Sequence, residues 1–193
     1  MTIHTTSRTP TDPAPQLGPV PQSKCCGHHD AFSILHDCHE HILERLGRLE
    51  TLGLELTQAS VIEERHMAVL GDVLSFLDTA VPIHSADEEQ TLFPRLREAI
   101  GPTAGHTPMD CMEQEHVQHQ ALLAALKRAV VRRDPAATAR AALSIVSEYR
   151  GHIGKEEEVL FPWARRTLTD PVLVAGMTQQ MRQRRVAAGM LSC

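Results

Sequence analysis

The chain has 193 residues, of which 42% are apolar and 22% charged, with a formal net charge of −5. That length suits one domain with one sizeable core, and with aromatics at 3% the core has to be built from Leu, Val, Ile and Ala. The slight acidic excess argues against a nucleic-acid binder, no run of about eighteen apolar residues offers a membrane span, and residues 1–24 lack the basic start and apolar run of a secretory signal.

In chain order, residues 1–27 read as a disordered tail. Pro10, Pro13, Pro15, Pro19 and Pro21 stand there among Thr, Ser and Gln, a composition that buries too little apolar surface to offset the entropy of ordering. From Asp30 the pattern is helical, with no period-two run and no hairpin signal. A first helix is expected from Asp30 to Thr51, stopping at Gly53. A second runs from Ser60 to Ala99 and stops at Gly101, with a kink or break at Pro82. A third spans Met109 to Arg133, with Pro108 in its first turn and Asp134-Pro135 as its stop. A fourth spans Pro135 to Leu168, and a short fifth, Pro171 to Arg185, packs on the outside. The expected fold is therefore all-α: an up-down antiparallel four-helix bundle over residues 28–168, followed by a short helix and tail over 169–193.

The inward stripe of each helix contains histidine. In the first, Leu35, His39, Ile42, Leu46 and Leu49 follow the four-three spacing of a core seam. The second gives Leu70, Leu74, Leu77, Val81, His84 and Glu88. The third gives Met112, His116, His119, Leu123, Leu126 and Val130, and the fourth Ala142, Ile145, Tyr149, His152, Glu156 and Val159. One inward histidine would read as a satisfied core residue. Four of them in register, two followed by a glutamate, need a common compensating charge, because each buried carboxylate otherwise costs several kcal/mol. A metal cluster supplies it.

An internal repeat narrows the donor set. His84-Ser-Ala-Asp-Glu88-Glu89-Gln-Thr-Leu92-Phe93-Pro94 aligns with His152-Ile-Gly-Lys-Glu156-Glu157-Glu-Val-Leu160-Phe161-Pro162, and Arg97 with Arg165. Residues four apart stack on one helix face, so each imidazole and carboxylate can serve one ion. Glu89 and Glu157 lie about 100° round the helix and are expected behind the site or facing solvent.

With these motifs the chain resembles the hemerythrin-like HHE cation-binding family, on His39, His84-x-x-x-Glu88, His116 and His152-x-x-x-Glu156. The Met-x-x-Arg-Arg at Met181–Arg185 is similar to members with a fifth helix. The resemblance implies a non-haem di-iron centre in the bundle core. Four imidazoles and two carboxylates exceed one tetrahedral zinc. They fit two iron ions, each with two histidines, bridged by Glu88 and Glu156 and by an oxo or hydroxo group, with manganese or zinc less favoured. Open positions on adjacent ions would take O₂, NO or peroxide.

The oxygen-carrying hemerythrins have a further histidine four residues after the one matching His116, where this chain has Gln120. His119 is the nearest substitute, as a fifth ligand or a hydrogen-bonding neighbour. His36 flanks the seam beside His39, and Tyr149 is either packing or in contact with a bound ligand. Cys25-Cys26-Gly27 is similar to a motif in iron-sulfur repair members and marks Cys25 and Cys26 as redox thiols or plain linker residues. Cys38 and Cys111 read as small buried apolar residues, and His4, His28, His29, His41, His66 and His106 as surface residues. Five sparse cysteines suit a reducing cytoplasm. The expected function is a cytoplasmic di-iron protein that binds or senses O₂ or NO, or handles iron. The alternative is a di-iron enzyme or repair protein that reduces NO or peroxide or donates iron to iron-sulfur clusters.

Overall fold

The computed structural model describes residues 30–102, 105 and 107–190, and every regular element among them is helical, with no strand. Helix α1 spans Ala31–Leu56, capped by the Asp30 side chain, which accepts from the Ser33 amide at 2.8 Å. It runs through Gly53 instead of stopping there. A Cβ at Gly53 would lie 3.1 Å from the Leu143 side chain, so this glycine admits a close neighbour and does not end the helix. Helix α2 (Glu64–Asp87) continues through one π-helical turn (Glu88–Leu92) into α3 (Phe93–Ile100). Its start is four residues later than expected, where Glu63 and His66 cap each other reciprocally. His66 is therefore buried at a helix end, not on the surface.

Pro82 does not break the rod. It stands on the exposed side of α2, where water can take the carbonyl it leaves without a donor. Helix α4 (Pro108–Val131) and helix α5 (Pro135–Lys155) follow, α5 passing through a second π turn (Glu156–Leu160) into α6 (Phe161–Thr167). Helix α7 (Pro171–Ala187) closes the described chain. Thr107, Asp134 and Asp170 each cap a helix whose first residue is proline, a residue that needs no donor there.

Helix α1 packs on α2 and α5, and α4 on α5 and α2, so the four long rods meet in a ring, with α7 against α1 and α2. The core is in two parts. Ile42, Leu46, Leu49, Leu70, Leu77, Leu126 and Ile145 form one apolar cluster; Leu35, Leu92, Phe93, Met112, Leu160 and Phe161 belong to the other. On every rod a histidine falls between a residue of one cluster and a residue of the other, so the polar layer is enclosed on both sides by apolar packing. The fifth helix is not merely external: Met177 and Met181 are fully buried in the second cluster. The rod Glu64–Ile100 is long and apolar enough to cross a membrane by length and composition, with mean hydropathy 1.3 over its most apolar window. Its Leu70, Val73 and Leu77 are buried against neighbouring helices, and its Asp72 and Asp78 pair with Arg48 and Lys127.

Candidate metal centre

The two π turns begin at Glu88 and Glu156, at matching places in the repeat. In each, the phenylalanine amide (Phe93 or Phe161) reaches back five residues to the glutamate carbonyl. The following proline, Pro94 or Pro162, has no amide, and its ring would crowd the carbonyl four residues before it in a regular helix. Widening the turn relieves that clash and shifts the inward stripe by one residue. Val159, expected in the seam, is accordingly 66% exposed, and Leu160 is buried in its place.

At the polar layer, His39 from α1, His84 from α2, His116 from α4 and His152 from α5 converge with Glu88 and Glu156, all buried. Their donor atoms form two groups, each within 4.8 Å: His39, His84, Glu88 and Glu156 in one, Glu88, His116, His152 and Glu156 in the other. Nε2 of His39 faces Nε2 of His84 at 3.1 Å, and Nε2 of His116 faces that of His152 at 3.1 Å. Glu156 lies 3.1 Å from both His39 Nε2 and His152 Nε2. Glu88 lies 3.5 Å from His84 Nε2 and 3.3 Å from His116 Nε2. Among the described residues none of the four carboxylate oxygens has a hydrogen-bond partner of good geometry, although both side chains are fully buried.

Such orphaned oxygens are rare in folded proteins and call for an ion. The spacing suits one: two ligand atoms each about 2.1 Å from a metal and at right angles lie about 3.0 Å apart. Without a cation, burial pushes the Glu88 carboxyl well above its usual range, and the charge of Glu156 pushes it further. For Glu156 burial acts the same way but is outweighed by the imidazoles of His152 and His39, each 3.1 Å away, which hold it low. Burial and the neighbouring His39 pull His84 well down, so its imidazole is neutral and available to a metal.

The family model for the hemerythrin HHE cation-binding domain matches residues 30–164. The chain belongs to that family. No curated protein and no solved structure matches it. Hemerythrin-type domains bind metal cations, and here a buried His/Glu cluster is in place to hold one.

Around this hemerythrin-type cluster, carboxylates grip the outer imidazole nitrogens. Glu157 lies 2.6 Å from His39 Nδ1, Glu89 2.7 Å from His116 Nδ1, and Glu115 2.9 Å from His152 Nδ1. Glu115 also accepts from Lys155. Glu89 and Glu157 thus stand behind the inner ring, with no atom in either four-residue group. His36 is half-exposed, its Nδ1 3.2 Å from Glu157. His119 belongs to neither group. Its ring stacks on Tyr149 at 3.9 Å and meets His152 edge-on at 4.9 Å. Burial pulls His119 down to about 3 and pushes the Tyr149 phenol up to about 12, so both are neutral at ordinary pH.

These two line a cavity of about 270 Å³ that also touches His84, His116 and His152. Ile42, Leu77, Val81, Leu123 and Ile153 form its apolar walls, and Asp78 and Lys127, which pair with each other, lie on its lining too. Cys25 and Cys26 lie outside the described residues. Sequence reasoning missed Glu115, whose only signal was its place immediately before His116. Cys38, expected to be a small buried apolar residue, is half-buried and belongs to a polar cluster: it accepts from Arg185 at 2.8 Å while Arg184 and Arg185 pair with the buried Asp87. Arg184 and Arg185 end the Met-x-x-Arg-Arg motif, the one available sign of that cluster.

Proposed function

We propose that this is a non-haem di-iron protein that binds or senses a small ligand, O₂ or NO, or handles iron, in the cytoplasm. The observation that carries the reading is the sharing of Glu88 and Glu156 between two four-donor groups, with all four of their oxygens unpartnered. In this assignment His39 and His84 would hold one ion and His116 and His152 the other, with Glu88 and Glu156 available to both. Mixed imidazole and carboxylate donors suit iron, with manganese and zinc less favoured. Iron held by these residues would supply redox chemistry toward a small ligand.

The chain's own residues do the rest. Leu77, Val81, Leu123 and Ile153 keep the adjacent cavity apolar, and neutral His119 and Tyr149 present polar groups beside it. The fold that accompanies this reading is the up-down antiparallel four-helix bundle, supported by the ring of contacts among α1, α2, α4 and α5 and by the short connections between them.

Metal analysis of anaerobically purified protein, with absorption spectra before and after O₂, tests the proposal. About two irons per chain and a persistent charge-transfer band are expected. A colourless protein that refuses iron, or a site saturated with inert zinc, would overturn it.

One observation favours a second reading, a di-iron enzyme that reduces NO or peroxide or a repair protein that donates iron to clusters. The cavity is several times the roughly 30 Å³ that a small molecule such as water occupies. Steady turnover of peroxide or NO with a reductant supports that reading; a rate no greater than that of free iron ends it.

A further inference from the structure

We propose that the two cation positions are unequal, the one between His116 and His152 filling first and binding more tightly, the one between His39 and His84 being the exchangeable one. The inference rests on the two-cation reading above.

On the first side both imidazoles are anchored. His116 Nδ1 meets Glu89 at 2.7 Å, and His152 Nδ1 meets Glu115 at 2.9 Å, with Lys155 holding Glu115 in turn. A ligating imidazole whose outer N–H donates to a carboxylate is fixed in tautomer and orientation and is a stronger donor. On the other side, among the described residues, Glu157 alone plays that part, for His39, and it also faces His36 Nδ1 at 3.2 Å. His84 Nδ1 is buried and has no hydrogen-bond partner among the described residues.

The repeat shows what changed. The 68-residue offset that places His84 on His152 places Asp87 on Lys155. The residue before His116 is Glu115, whereas the residue before His39 is Cys38. A thiol thus stands in the register of the carboxylate, and an acid in that of the lysine. Cys38 is turned to Arg185, from which it accepts at 2.8 Å. Arg184 and Arg185 together face the single carboxylate of Asp87. This side therefore has one imidazole anchor where the other has two, and carries two guanidiniums against one acid, and both features weaken its hold on a cation.

Mn²⁺ titration of the metal-free full-length chain, followed by loss of the free-ion magnetic resonance signal, reads the two steps. Repulsion between adjacent cations separates the steps even for equal positions, so two variants carry the assignment. Both replaced side chains are partly exposed, at 22% and 30%, and circular dichroism checks that both variants fold. Glu115→Gln is expected to weaken the first step about tenfold or more and bring the steps together. Glu157→Gln is expected to weaken the second step and drive them apart. Equal effects of the two variants, or a gap widened by Glu115→Gln, would overturn the inequality while leaving two-cation binding intact. Fewer than two Mn²⁺ per chain in the unaltered protein would overturn both.

Discussion

At the scale of single residues, the centre depends on two fully buried carboxylates, Glu88 and Glu156. Removing one leaves each of the two groups with a donor fewer. The Glu88→Ala chain is therefore expected to keep at most one tightly held metal, and two per chain by elemental analysis would contradict the bridging role. The cavity histidine gives a prediction in pH. His119 titrates near 3 in the folded protein because burial disfavours its charged form, against about 6.5 in an unfolded chain. Below 6.5 the unfolded state therefore binds more protons than the folded one. The stability of the metal-free protein should fall as pH drops from 6.5 toward 3, by about 1.4 kcal/mol per pH unit from this group alone. Urea unfolding across that range should show a shallower slope for His119→Gln; an identical slope would mean that the imidazole is not buried as described. The inward histidines were legible in the sequence because they interrupt leucine stripes. Glu115 was not, because its role depends on the rotation of α4 against α5, which no spacing within one helix encodes. His66 was misplaced for the opposite reason: a cap with Glu63 hides it without any apolar pattern.

Among the elements, the helix count and most ends followed from periodicity and from proline at first-turn positions. One stripe failed, where a fixed period of 3.6 was carried through Glu156–Leu160 to Val159. The duplicated Phe-Pro was visible, but its consequence, one extra residue in the turn, follows only when the proline ring and the helix carbonyls are set in space. Such turns are frequent at functional sites, and here each one starts at a glutamate of the cluster. Glycine was read too simply as a stop. Gly47 and Gly53 lie in the same helix, yet nothing lies within 4 Å of a Cβ built at Gly47, while one at Gly53 meets Leu143 at 3.1 Å. Gly47→Ala should therefore stabilise the protein by about 0.5–1 kcal/mol through lower unfolded-state entropy. Gly53→Leu should destabilise it by about 1–3 kcal/mol by forcing α1 from α5. Thermal midpoints moving in opposite directions are the expected result, by about 2–4 °C per kcal/mol in a chain of this size. Midpoints that move together would show that the two helices do not approach as closely as stated.

Over the whole molecule, two apolar clusters enclose one polar layer, and only the part played by α7 in that design was hidden. Its sequence reads as a short external helix, since past Met177 it is mostly Gln and Arg and nothing in its spacing marks Met177 and Met181 as core. What holds it is electrostatic as well. Asp87 is fully buried next to Glu88, and its carboxylate is met by Arg184 and Arg185 from α7. Burial pushes the Asp87 carboxyl up, with the two guanidiniums pulling against it. Arg185 is itself only 7% exposed, so water cannot replace it easily. Breaking a buried pair by removing one partner costs about 3–5 kcal/mol, because a charge is left uncompensated. Arg184 remains on the same carboxylate, which places Arg185→Ala near the lower end, at about 3 kcal/mol. Asp87→Asn with Arg185→Met removes both charges together and should cost less than Arg185→Ala alone. If chemical denaturation instead finds the double variant weaker by the sum of its parts, α7 is held by its methionines and the ion cluster contributes nothing. A loss confined to Arg185→Ala would show that a buried acid beside the histidine layer is what ties the last helix to the rest of the fold.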